Sequence, residues 1–166
     1  MKRTETMDDS LAEWKRIPTR IGKSIRGLTE SELDLKGGSD GWTIRENVHH
    51  LVEANLVAAN MIVAALATDG GYYDWTWVNP NKSWMRRVGY DSAGIDPAMK
   101  MLRALSQHIS GLLVNNPGAL SRTVQLSDTP GGPRYVMTVE GILRQEVEHA
   151  AEHLKVIQAI HERHSR

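Results

Sequence analysis

Apolar residues recur at steps of three and four along four stretches of the chain, the spacing that gathers them on one face of a helix. In the first stretch, Met7, Leu11, Trp14, Ile17, Ile21, Ile25 and Leu28 predict a helix over residues 8–28. Pro18 falls inside it, and its missing N–H predicts a kink or a break. Thr29 and Glu32 stand at capping-box spacing, so residues 29–33 read as a short capped turn. Thr43 and Glu46 repeat that spacing at the head of the second helix. Its wide stripe of Ile44, Val48, Leu51, Ala54, Val57, Ala58, Met61 and Ile62 runs to about residue 67, where Gly70 and Gly71 follow. Asp96 and Pro97 read as cap and first position of the third helix, with Met101, Leu102, Leu105, Ile109 and Leu112 on its inner face. The fourth runs over residues 139–163, with Thr138 as its cap and an inner stripe of Val139, Ile142, Glu146, His149, His153, Ile157 and Ile160.

Two stretches lack that period. Residues 122–126 and 134–137 flank a Pro- and Gly-rich turn and read as a small β-hairpin before the last helix. Residues 69–95 form a long connection with little helical signal. It holds Tyr72, Tyr73, Trp75, Trp77, Trp84 and Tyr90, so it is expected to fold back onto the helices. The fold class expected is all-α, a four-helix bundle with that one hairpin, in a single domain over residues 1–166.

Charge narrows the partners. Lys+Arg and Asp+Glu are both 20, which gives no general attraction to nucleic acid or to an anionic membrane. The polar start has no apolar leader, and the most apolar stretch, residues 51–67, is shorter than the ~20 residues of a membrane span. A soluble cytoplasmic protein acting on a small molecule is the expectation. With no cysteine, any metal must be held by His, Asp or Glu, and any thiol chemistry must use an external thiol.

The histidines carry the candidate chemistry. His149 and His153 are four apart, so their rings stack on one face of the fourth helix, and that face is the inner one. Buried imidazoles need polar partners, and a metal ion would satisfy both. His49 and His50 point about 100° apart. Counted from Ile44, His50 falls at the edge of the apolar stripe near Asn47, whereas His49 falls on the outer face with Arg45 and Val52 and is expected at the surface. Three inward histidines on two helices suit Zn²⁺ or Ni²⁺ and leave coordination positions open, as in a catalytic site. Glu146, one turn before His149, is a candidate fourth ligand, general base or partner to a histidine N–H. Glu53 is expected as a solvated charge or as a partner to the His50 ring. Trp42 is expected to pack as a staple beside the second helix, His108 at the core edge, and His161 and His164 at the surface.

The block Trp42-Thr43-Ile44-Arg45-Glu46-Asn47-Val48-His49-His50-Leu51-Val52-Glu53-Ala54, with Glu148-His149-Ala150-Ala151-Glu152-His153 near the end, resembles the DinB/YfiT-like family. The resemblance runs in order along nearly the whole chain. It implies an up-down-down-up bundle, often a homodimer, with Zn²⁺ or Ni²⁺ on His50, His149 and His153. It also implies relatives that transfer a low-molecular-weight thiol such as bacillithiol or mycothiol to an electrophile. On that footing thiol transfer is the first expected activity, with Arg86 and Arg87 as candidates to bind the carboxylates of a thiol cofactor or an anionic substrate. Hydrolysis with water as nucleophile and Glu146 as base is the second, and a non-catalytic stress-response or ligand-binding bundle is the third.

Overall fold

The computed structural model describes residues 7–39 and 41–164. Its helices are α1 (Met7–Ser24), α2 (Glu30–Leu33), α3 (Ile44–Ala67), α4 (Lys82–Val88), α5 (Ile95–Val114) and α6 (Val139–His164). Three short strands, β1 (Gly71–Tyr72), β2 (Thr123–Leu126) and β3 (Tyr135–Thr138), form one sheet.

α1 and α3 each pack on both α5 and α6, so the four long helices form a ring with α1 diagonal to α3. Their directions follow from the contacts. After α3 the chain travels back along it: the Tyr90 hydroxyl reaches Glu53, Lys82 reaches Glu46, and the Ala93 carbonyl meets Arg45 and His49. α5 therefore starts beside the first turns of α3 and runs parallel to it. α6 runs against α3, since His149 meets His50, His153 meets Asn47 and Arg163 meets Gly37. α1 runs with α6: Ser10 and Glu13 share a cleft with Arg144 and Val147, and Arg20 and Ser24 share another with Leu154 and Gln158. The result is an up-down-down-up four-helix bundle. α3 and α5 are consecutive and parallel, which obliges the connection between them to be long.

Both capping boxes form. The Thr43 hydroxyl accepts from the Glu46 N–H at 3.0 Å, and the Thr43 N–H donates to the Glu46 carboxylate at 2.7 Å. Thr29 and Glu32 do the same at α2. α1 runs unbroken through Pro18 and ends at Ser24, short of Leu28, with Gly27 (φ 80°) in the turn that follows. Ile25 and Leu28 still pack on the core from that turn. The side chain of Met7 lies outside the described residues. Trp14, Ile17, Ile21, Leu51, Ile62, Leu102, Ile109, Leu143 and Ile157 are almost wholly buried, each contributing about 1.5–3 kcal/mol if aliphatic. α3 is long and apolar enough, by length and composition, to cross a membrane. Here that apolarity faces α5 and α6.

Elsewhere, too, the structure departs from the pattern expected. α5 begins at Ile95 after Gly94, so Asp96 and Pro97 lie inside its first turn and no side chain caps it. Met101 is 43% exposed, whereas Leu102 and Ile109 are buried as expected together with Met99, Ser106 and Leu113, and Leu105 and Leu112 pack half-buried against the core. The hairpin is part of a three-stranded sheet: β2 and β3 pair antiparallel with Thr123 opposite Thr138, and β1 adds parallel to β2 with Gly71 opposite Val124. The connection contains a helix, α4, capped by the Asn81 side chain and closed by Gly89 (φ 80°). Trp84 and Met85 bury its inner side, and Tyr73, Trp75 and Val78 pack on the bundle core, as the aromatic content predicted. Thr138 does cap α6, accepting from the Gly141 N–H at 3.0 Å.

Candidate metal centre

His50 comes from the second turn of α3, and His149 and His153 from consecutive turns of α6, where that helix packs against α3. The His50 and His149 Nε2 atoms are 3.0 Å apart, and one ring nitrogen from each of the three histidines lies within 4.8 Å of the others. Ring centroids are 4.7–4.9 Å apart.

The surroundings fix which nitrogens face inward. Asn47, one turn before His50 and 1% exposed, donates its amide N–H to the Thr43 carbonyl at 2.7 Å. Its amide oxygen is therefore free to accept, and it lies 2.7 Å from His153 Nδ1. His153 must carry its proton on Nδ1, which leaves the Nε2 lone pair for the centre. Trp42 is not a staple on α3 alone. It stacks on His153 at 5.7 Å and sets its edge to His50 at 4.9 Å, which restricts both rings. Burial, reinforced by the facing His149 and His153, pushes the His50 imidazole down to about 3. Burial and His149 push His153 down to about 4. Both are neutral at physiological pH, the form that can ligate.

These residues fit a divalent ion. A tetrahedral ion with M–N bonds of about 2.0–2.1 Å needs donor nitrogens roughly 3.3 Å apart; the His50–His149 pair stands at 3.0 Å, and all three donors lie within 4.8 Å of one another. The two Nε2 atoms at 3.0 Å share a hydrogen bond when one ring carries its proton on Nε2, and a divalent ion would take the place of that proton.

A cavity of about 440 Å³ opens beside the triad. His50 and His149 stand at its polar end with Glu146, and Val57, Met61, Leu126 and Ile142 line the apolar part. Trp75, Val78 and Pro80 of the returning connection wall it. Glu146 is 8% exposed. Its Oε2 is buried without a hydrogen-bond partner, 3.6 Å from His149 Nδ1.

Residues 5–157 match the DinB superfamily. The chain belongs to that superfamily. It is 26% identical over 132 residues to a Geobacillus kaustophilus protein named, by inference, a metal-dependent hydrolase, spanning 77% of this chain and 71% of the relative. A Bacillus cereus protein of the same description is 33% identical over 52 residues, 31% of this chain and 30% of the relative. In fold, the chain is similar to YfiT from Bacillus subtilis, described as an inferred metal-dependent hydrolase with an unusual four-helix bundle topology. The TM-score is 0.83 at 20% identity, covering 99% of this chain and 91% of that one.

His49 is not at the surface. It is 6% exposed, stacks on Tyr90 at 5.0 Å and bonds the Ala93 carbonyl at 3.0 Å. Arg45 and Val52 are buried beside it. The Arg45 guanidinium donates to Asp34 and Glu30 at 2.7 Å and to the Ala93 carbonyl at 3.2 Å. Glu53 lines the cavity and accepts from the Tyr90 hydroxyl, not from the His50 ring. Arg86 and Arg87 lie on α4 and do not line the cavity: Arg86 borders a separate surface cleft with Lys36 and Lys82, and Arg87 donates to Ser83 at 2.9 Å. His108 is exposed rather than at the core edge, His161 is half-buried, and His164 is exposed. Asn47 and Tyr90 were not singled out from the sequence. Asn47 had a signal, a polar residue on the apolar stripe one turn from His50; Tyr90 had only its place in the aromatic connection.

Proposed function

We propose that His50, His149 and His153 hold one divalent cation, and that the protein is a metal-dependent hydrolase of a small molecule bound in the adjoining cavity. The observation that carries this is the convergence of three imidazoles beside an apolar cavity, with the buried Glu146 carboxylate in its wall next to His149. All-nitrogen donor sets suit Zn²⁺ and Ni²⁺. When bound, such an ion supplies Lewis acidity, polarising a carbonyl and lowering the pKa of a nucleophilic water or thiol.

The chain's own residues do the rest. Asn47 and Trp42 hold the rings in register. Glu146, on the cavity side of His149, takes the proton of the incoming nucleophile and returns it to the leaving group. Trp75, Val78 and Pro80 exclude bulk water from the reacting end.

The test is elemental analysis of the purified protein and of His50→Ala, followed by a panel of esters and amides. One metal per chain with hydrolysis, both lost in His50→Ala, supports the reading. Hydrolysis that persists in the metal-free variant sinks it.

Thiol transfer, the first activity implied by the resemblance, is the second reading. The cavity is far larger than a water nucleophile requires, and the chain offers no thiol of its own. A low-molecular-weight thiol would then take the place of water, with Glu146 accepting the S–H proton. Metal-loaded protein that forms no conjugate with several such thiols and an activated electrophile removes it.

A further inference from the structure

We infer that the cavity beside the triad takes an uncharged substrate with a single polar head, an ester or amide group, on an apolar tail of about eight to ten carbons. This rests on the proposed function for the head group alone; the tail is read from the cavity.

The cavity runs along α3 and α6 away from the histidines. On α3 its wall passes from His50 through Ala54, Val57 and Ala58 to Met61, and on the antiparallel α6 from His149 back to Ile142. Met61 lies about three turns beyond His50, roughly 16 Å at about 1.5 Å per residue. An extended carbon chain advances about 1.2 Å per bond, so a head at the histidines leaves length for about eight to ten carbons. Alanine at 54 and 58 keeps the α3 wall low along that length.

The two ends differ in kind. Beside the histidines the wall is polar, with Gln145, Glu148 and Glu152 exposed at the rim. At the far end Val57, Ala58, Met61, Leu126 and Ile142 are each 8% exposed or less. Among the described residues, no side chain at that end has a hydrogen bond to offer an occupant. The Tyr135 hydroxyl is given to Asp128 at 2.9 Å, and the Trp75 indole nitrogen is buried away from the space. A polar group carried there would lose its water and find no partner, which is costly, and a charge would be costlier still. An apolar tail gains by the same transfer. The polar group of the substrate must therefore stay at the histidine end. Met61 and Met137, unbranched and flexible, give the far end walls that adapt to tails of differing shape.

The experiment titrates 1-alkanols from 1-butanol to 1-dodecanol, and 1,8-octanediol, into the purified protein by calorimetry. Alcohols are not hydrolysed, so binding is read apart from turnover. The expected result is one alcohol per chain, with affinity rising about three- to fourfold per methylene up to about eight to ten carbons and levelling beyond. The diol, which carries a second hydroxyl to the apolar end, should bind about tenfold or more weaker than 1-octanol. The levelling should come at a shorter chain in Ala58→Leu and at a longer one in Met61→Ala. The two variants move the wall in opposite senses, so either alone keeps the test valid if the other misfolds. A diol bound as tightly as octanol, no saturable binding, affinity that ignores chain length, or a levelling point unmoved in the folded variants overturns the inference. Ester hydrolysis measured on the same samples separates the two claims. Chain-length-dependent binding without hydrolysis defeats the hydrolase reading alone, whereas metal-dependent hydrolysis without that dependence defeats the apolar tail alone.

Discussion

His153 donates its Nδ1 hydrogen to the Asn47 side-chain oxygen at 2.7 Å, and Asn47 spends its own N–H on the Thr43 carbonyl at 2.7 Å. The same Thr43 caps α3. A helix start on one side of the histidine cluster is thereby coupled to a ring on the other. Asn47→Leu should remove the orientation of His153 and weaken zinc binding by about 10–100-fold, with little change in fold. Asn47→Asp, which keeps the acceptor, should lose much less. Competition with a chromophoric chelator reads both, and equal affinities in Asn47→Leu and the parent would deny the residue this role.

Binding an ion to the folded state alone should raise stability. At a free metal concentration about 100 times the dissociation constant, the gain is about 2.7 kcal/mol. Chelator treatment should therefore lower the unfolding temperature of the parent and leave His50→Ala unchanged. A chelator that leaves the parent's transition where it was shows that no ion had been lost from the folded chain.

Acid should destabilise the metal-free protein. His50 stands at about 3 and His153 at about 4, below the free imidazole value of 6.5, and burial lowers His49 in the same direction. As pH falls through 6.5 the unfolded chain takes up protons that the folded chain refuses, so stability is full above that pH and declines below it. For His50 alone the loss at pH 5 is about 2 kcal/mol. Urea unfolding of metal-free protein at pH 7 and pH 5 measures it, and a midpoint that rises toward pH 5 would contradict the burial of these rings.

The four long helices and the juxtaposition of His50 with the His149 and His153 pair were legible because α1, α3, α5 and α6 each carry several turns of one apolar period. α4 and β1 were not, since seven and two residues are too few to display a period. The error over His49 has the same origin. Counting faces from Ile44 assumes that only one side of α3 is covered. The connection after α3 returns along its second side, so Arg45 and His49 meet Ala93, some forty positions away, and are buried there. Nothing periodic announces that return. The carboxylate of Glu53 was misread for the same reason, because its partner Tyr90 belongs to that returning segment.

The Tyr90–Glu53 bond ties that segment to the cavity wall. Burial, and then the hydrogen bond to Glu53, raises the Tyr90 phenol, so it stays a donor throughout the working pH range. Tyr90→Phe removes the donor and leaves a carboxylate in the wall of the cavity without its partner, and should cost about 1–3 kcal/mol. Glu53→Gln keeps an acceptor for the phenol and should cost less. Because each change removes the same contact, the Tyr90→Phe, Glu53→Ala pair should be non-additive by about 0.5 kcal/mol or more. The loosening should also be local: amide exchange should quicken in residues 69–93 while the core of α6 stays protected. Additive single and double variants, or exchange that quickens equally across α6, would mean that the bond does not fasten the segment to α3.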